Sequence, residues 1–213
     1  LQLLYGESVG TSVTTVASLE RDAELMLRVR QGDETSFALL LEKYRNTVIH
    51  FLFRMVGNQA VAEELAQEVF MRVYRSRETY EPTAKFTTWL FRITTHLALN
   101  YVRDRRRDKL HDSIDEPQGD GIKRDLPTRE ANIEQQMLRE ARLAEVRKAI
   151  EALPDKQRSA VLMHKYQEMD YAQIAAVLEC SESAVKSLLF RAYETLRSRL
   201  KHFSPDGKGE KAG

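Results

Sequence analysis

The sequence predicts an all-α protein: two small helical domains joined by a flexible acidic linker, the second carrying a helix-turn-helix. Three observations predict it. Apolar residues recur at helical spacing from Arg21 to Lys109 with no strand signal, the composition shifts between His111 and Glu130, and the stretch Asp170 to Leu200 has the spacing of two helices around a tight turn. A chain of 213 residues accommodates two such units near the lower end of domain size.

The first helix is expected over Arg21 to Arg30, with Ala23, Leu25, Met26 and Val29 inward and Gly32 ending it. Residues 1–20 are left outside the fold, as a disordered or non-native segment. Asp33 opens a longer helix in which Phe37, Leu40, Leu41, Tyr44, Val48, Phe51, Leu52 and Met55 recur as far as Gly57. Asn58 can cap a third helix. Its apolar stripe is Ala62, Leu65, Ala66, Val69, Phe70 and Val73, and Glu63, Glu64, Gln67 and Glu68 form an acidic face available to a partner. Pro82 breaks the pattern before a fourth helix, roughly Lys85 to Lys109, carrying Phe86, Trp89, Leu90, Ile93, Leu97 and Val102. The first domain is therefore placed at 21–109.

That fourth helix ends in Arg103, Arg105, Arg106, Arg107 and Lys109, against Asp104 and Asp108. Such a patch suits phosphates, and equally suits the negative end of a helix dipole. A linker, 110–131, follows, in which Pro117, Gly119, Gly121 and Pro127 break structure and acidic residues outnumber basic ones. Beyond it Ile133, Met137, Ala141, Ala144 and Ile150 support a helix, and Pro154 opens another with Ala160, Val161, Leu162 and Tyr166. The second domain is placed at 132–203, with 204–213 a disordered tail.

Within that domain Asp170 caps a short helix and Gln173 reaches back, as in a capping box. Ala175 is small where two helices cross, Glu179 stands at the turn, and Val185 anchors the second helix; Leu188, Leu189, Ala192 and Leu196 also point inward. Ser183, Lys186, Ser187, Phe190 and Arg191 are left for a partner, with Tyr193 a further candidate. Lys and Arg on such a face suit phosphates and guanine edges, which makes it a candidate reader of duplex DNA.

Charged residues make up 31% of the chain, yet the net charge is +1, so nucleic-acid contact must come from local patches rather than from a polycation. The single cysteine, Cys180, excludes an internal disulfide framework and a Cys-rich zinc site, and fits a reducing cytoplasm. No apolar run approaches a membrane span and no signal peptide opens the chain, so a soluble intracellular protein with no membrane insertion is expected. The histidines at 50, 96, 111, 164 and 202 lack metal-ligand spacing, and there is no phosphate-cradling glycine loop; no catalytic residue, metal or cofactor is assigned.

In this order the segments resemble the extracytoplasmic-function (ECF) group of bacterial RNA polymerase sigma factors, over about residues 22–203. AEELAQEVFMRVYR, residues 62–75, is similar to that family's region two segment that docks on core RNA polymerase, and FTTWLFRITTHLALNYVRDRRR, residues 86–107, to its promoter-melting segment. The stretch from Ala152 through the helix-turn-helix is similar to region four. The resemblance implies a non-catalytic specificity subunit that binds core RNA polymerase through Glu63, Glu64, Gln67 and Glu68. It would hold the melted minus-ten strand with Thr87, Thr88, Trp89, Arg92, His96, Asn100 and Arg103, Phe86 and Phe91 lying near Trp89 as further parts of an aromatic platform. It would read promoter DNA at the minus-thirty-five element with Ser183, Lys186, Ser187, Phe190 and Arg191. An anti-sigma factor is a further implied partner. Several residues depart from the family pattern: Glu179 replaces a usual turn glycine, Leu188 and Tyr193 replace common arginines, and His96 and Asn100 stand where Asn and Asp are frequent. The rival reading is a helix-turn-helix transcriptional regulator that does not join polymerase. Its weak point is the first domain, which reads as helices throughout, whereas a receiver domain would need alternating strands and helices.

Overall fold

A computed structural model describes the backbone of residues 12–111 and 133–201, and side chains over 21–108 and 140–201. The linker and the two terminal segments outlined above lie largely outside these residues. Among the described residues there are eight α-helices, α1 (Ser12–Arg30), α2 (Glu34–Val56), α3 (Gln59–Arg75), α4 (Phe86–His111), α5 (Ile133–Glu151), α6 (Asp155–Tyr166), α7 (Tyr171–Leu178) and α8 (Glu182–Arg199), with a short 3-10 turn at Arg77–Thr79. There is no strand among the described residues. Helix α1 begins at Ser12, ahead of the expected Arg21.

The helix ends are set by local chemistry. Asp33 accepts from the Ser36 backbone N–H and hydroxyl, and Asn58 from the Val61 N–H, so each satisfies one of the free donors of a first turn. Those hydrogen bonds hold the Asp33 carboxyl below its ordinary pKa. Gly57 closes α2 in the left-handed region at φ 74°, where a Cβ would be strained. Both halves of the Asp170–Gln173 capping box are made. Glu179 closes α7 at φ 52°, a conformation that costs an L-residue about 1–2 kcal/mol, whereas glycine there costs about 0.5–1 kcal/mol more backbone entropy. The difference favours glycine. Glu179→Gly should therefore raise the urea midpoint by a margin worth about 0.5 kcal/mol, and a lowered midpoint would show that the glutamate side chain contributes more than the strain removes.

In the first half, α2 lies against α1, α3 and α4, burying Leu40, Tyr44, Val48, Phe51, Leu52 and Met55 together with Val69, Phe70, Leu90 and Phe91. Each such side chain contributes about 1.5–3 kcal/mol on leaving water. Phe51 meets Phe91 edge to face at 5.2 Å. Between α1 and α2 the buried Asp22 carboxylate takes both the Lys43 ammonium, 2.7 Å away, and the Tyr44 hydroxyl. Burial and that carboxylate push the Tyr44 phenol far above its ordinary pKa.

The second half packs α6, α7 and α8 around Leu162, Met163, Ile174, Val177, Val185, Leu189 and Ala192. Three expectations need correction. Ala141 and Ala144 are exposed, because among the described side chains of α5 the buried ones are Ala149 and Ile150 of its last turn, while Ile133 and Met137 lie outside the described side chains. Tyr166 is exposed as well, its ring lying 4.3 Å from the Arg54 guanidinium of α2. Tyr193 does not face outward: its hydroxyl meets Nδ1 of His164 at 2.9 Å.

The two halves touch. Arg158 of α6, 8% exposed, donates to the Met55 carbonyl at 2.7 Å, to the Leu153 carbonyl at 3.2 Å and to the Glu151 carbonyl. One guanidinium thus closes the last turn of α2 and the end of α5, both of which leave carbonyls unpaired. Arg106 forks onto Asp155 with both contacts at 2.9 Å.

Candidate nucleic-acid interface

Two helices carry the residues expected to meet DNA. On α8, Ser181 caps the N-terminus by accepting from the Ala184 N–H, and Val185, Leu189 and Ala192 fasten the helix to the core. The opposite face is then fixed by the 3.6-residue period. Ser183, Lys186, Ser187, Phe190 and Arg191 are all exposed along it, Phe190 to 68%. Leu188 is half-buried against the core. The face combines hydroxyls, two cations and an apolar ring, which are the groups that pair with base edges, phosphates and a thymine methyl.

Helix α4 is more divided. Arg92, Asn100 and Arg103 are exposed, Thr87 and His96 half-buried, and Thr88 is buried at 3%. Trp89 is half-buried, its ring 4.9 Å from Tyr80 and 5.9 Å from Phe86 in tilted, edge-type contacts. Phe86 and Phe91 belong to the core and offer no face to a base. Their helical spacing encoded burial, so the expected aromatic platform reduces to Trp89. The basic end of α4 is partly neutralised: Arg103 and Arg107 both lie on Asp104, and Arg106 on Asp155, while Arg105 and Asp108 are exposed.

A third surface lies between α2 and α3. Glu63 and Gln67 line a groove of about 560 Å³ with Phe37, Leu41, Phe70 and Met71, and Met71 is 48% exposed. Glu68 is half-buried and paired with Arg72 at 2.6 Å, which holds its carboxyl below the ordinary range. Glu64 is exposed but does not line the groove. The residues expected for polymerase binding are thus split between the groove and its flank. Among the described residues no cluster of His, Cys, Asp or Glu could hold a metal ion, and no helix is long and apolar enough to cross a membrane.

Two family models match this chain. Residues 40–108 match "Sigma-70 region 2" and residues 143–196 match "Sigma-70, region 4". The RNA polymerase sigma-H factor of Pseudomonas aeruginosa is 31% identical over 186 residues, covering 85% of this chain and 94% of that protein. The chain belongs to the ECF group of RNA polymerase sigma factors. The ECF RNA polymerase sigma-E factor of Escherichia coli K12 is 30% identical to this sigma factor over 180 residues, covering 84% of the one and 94% of the other. In fold, this sigma factor is similar to the sigma factor RpoE in its complex with the anti-sigma factor NepR from Bartonella quintana, with a TM-score of 0.62 at 22% identity over 78% of this chain and 96% of that one. CnrH in complex with the cytosolic domain of CnrY gives a TM-score of 0.62 at 20% identity, covering 86% and 99%. Residues 86–107 of α4 fall within the region 2 match, and the exposed face of α8 within the region 4 match.

Sequence reasoning missed two residues that position these surfaces. Arg158 fixes α6, and through it the helix-turn-helix, against the end of α2. Gln173, assigned only to a cap, also donates to the Thr88 hydroxyl at 3.4 Å. Neither had a signal in the pattern, because each contact crosses from one half of the chain to the other.

Proposed function

We propose that this sigma factor joins core RNA polymerase, carries it to promoters and assists their opening, with no catalytic step of its own, in the cytoplasm. The observation that supports this best is the exposed face of α8, Ser183, Lys186, Ser187, Phe190 and Arg191, within a segment that follows a region 2 segment in the order sigma factors use. On this reading that face lies in the major groove of the minus-thirty-five element. Thr87, Thr88, Trp89, Arg92, His96, Asn100 and Arg103 hold the separated minus-ten strand, where stacking of a base on an aromatic ring is worth about 1–3 kcal/mol. Glu63, Glu64, Gln67 and Glu68 meet the polymerase. An anti-sigma factor is a further partner, a reading supported by complexes of that kind among proteins of the same fold.

Runoff transcription tests the reading. Purified core polymerase should initiate on promoter fragments from the host genome only when the sigma factor is added. Trp89→Ala should slow strand opening by about tenfold, one stacked base, while leaving closed-complex affinity unchanged. Failure of the wild-type chain to bind core polymerase would leave a simple helix-turn-helix regulator as the better account.

A further inference from the structure

The exposed face of α8 does not end at α8. Tyr171, the first residue of α7, is 38% exposed and carries the Lys186 ammonium over its ring, 5.8 Å from the centroid. That lies inside the roughly 6 Å over which the negative face of an aromatic ring attracts a cation. Lys186 makes no ion pair among the described residues, although Glu182 stands one turn before it on the same helix.

Behind the ring stands a second support. The His164 imidazole of α6 stacks on Tyr171, with centroids 5.7 Å apart and planes 21° from parallel, and its Nδ1 meets the Tyr193 hydroxyl of α8 at 2.9 Å. Both His164 and Tyr193 are half-buried, and their rings also meet edge to face at 6.2 Å. Three helices thus hold one exposed ring: α7 supplies it, α6 stacks against it, and α8 fixes the stacking imidazole.

A lysine gains from such a seat. Its stem is rich in rotamers, and ordering a chain of that kind at an interface weakens binding by about two- to tenfold unless part of the ordering is done beforehand. In a helix-turn-helix the first helix crosses the DNA backbone while the second enters the major groove, so phosphates pass where α7 and the start of α8 come together. We infer that Tyr171 is a positioning residue of the duplex interface: its ring, locked by His164 and Tyr193, holds the Lys186 ammonium where it meets a backbone phosphate. The inference rests on the duplex reading of α8 given above. Tyr171 acts through the lysine, and it adds affinity rather than sequence choice, because a phosphate contact carries no base information.

Anisotropy of a fluorescein-labelled duplex of random sequence, titrated with the full chain at low salt, tests this, since phosphate contacts are independent of sequence. Tyr171→Leu, which keeps an apolar side chain but no aromatic face, should weaken binding about two- to fivefold, the worth of an exposed cation–π contact. Tyr171→Phe keeps the face and should bind as the wild type does. In the Lys186→Ala background, itself weaker and with a salt slope shallower by about 1, Tyr171→Leu should have no further effect. Unchanged affinity in Tyr171→Leu would overturn the inference, and tighter binding would do so by showing that the ring draws Lys186 away from DNA. So would a Phe variant as weak as the Leu variant, or a loss that persists without Lys186, since either gives Tyr171 a role of its own. A readout without DNA separates this from the reading of α8. The Tyr171 ring current should move the Lys186 ε-methylene protons upfield in the wild type and in Tyr171→Phe, but not in Tyr171→Leu. Absence of that shift overturns the contact of ring and lysine alone. Its presence in a chain with no affinity for duplex overturns the reading of α8, and the role of the pair with it.

Discussion

Arg158→Ala should cost this sigma factor about 3 kcal/mol of stability. The side chain is 8% exposed and its guanidinium donates to three carbonyls, those of Met55, Glu151 and Leu153, none of which lies in its own helix. Truncation leaves these acceptors without that donor, and a buried acceptor without a donor costs about 1–3 kcal/mol; water entering the space recovers part of it. Burial pushes the guanidinium below its ordinary pKa, while Asp155, 3.7 Å away, opposes that shift. Arg158→Lys separates charge from geometry. Lysine keeps the cation but cannot reach three carbonyls from one planar fork, so it should recover less than half of the loss. Thermal unfolding followed by circular dichroism measures both. Because Arg158 ties the end of α2 to α5 and α6, the alanine variant should also lose the coincidence of melting between the two halves. An alanine variant with wild-type melting would show that the guanidinium is incidental to the join.

This residue also marks the boundary of what the sequence discloses. Local chemistry was legible: Asp33, Asn58 and the Asp170–Gln173 pair cap the helices they were expected to cap, and Glu179 occupies the left-handed turn. Each of those signals concerns residues within a few positions of one another. The core of α2 and α3 was legible for the same reason, since a 3.6-residue period reports one helix's buried face. Contacts across the chain were not. Arg92 looked like a solvent-facing cation because its partner is a backbone carbonyl, which every residue possesses and no pattern distinguishes. Thr88 and Trp89 looked available because the helices that cover or flank them lie far away in sequence or in the 3-10 connection. Asp22 of α1 is buried against Lys43 and Tyr44 of α2, an arrangement that spacing on a single helix cannot indicate. The exposure of Ser183, Lys186, Ser187, Phe190 and Arg191 was legible because exposure of one helix face follows from burial of the other.

That face gives the second large effect. Arg191→Ala should weaken duplex binding at the minus-thirty-five element by about 1–3 kcal/mol, roughly ten- to a hundredfold. Arg191 is exposed, and α8 is anchored beneath it by Leu189 and Ala192, so truncation removes a contact with DNA without disturbing the fold. Nearby Arg197 is a poor substitute, being held by Glu194 on its own helix. Fluorescence anisotropy on the bound promoter fragment, repeated across a salt series, separates the two roles open to a guanidinium. If Arg191 neutralises a phosphate, affinity falls uniformly across sequences and the slope of log K against log salt becomes shallower by about 1. If it forks onto a guanine, the slope changes less and discrimination relaxes at one base pair. Lys186, five residues earlier on the same exposed side of α8, carries a compact charge without a fork and should behave as a phosphate contact whichever role Arg191 takes. Single-strand binding should be untouched by Arg191→Ala, because that load falls on α4; a parallel loss in both assays would mean that the α8 face and the α4 face act as one surface rather than two.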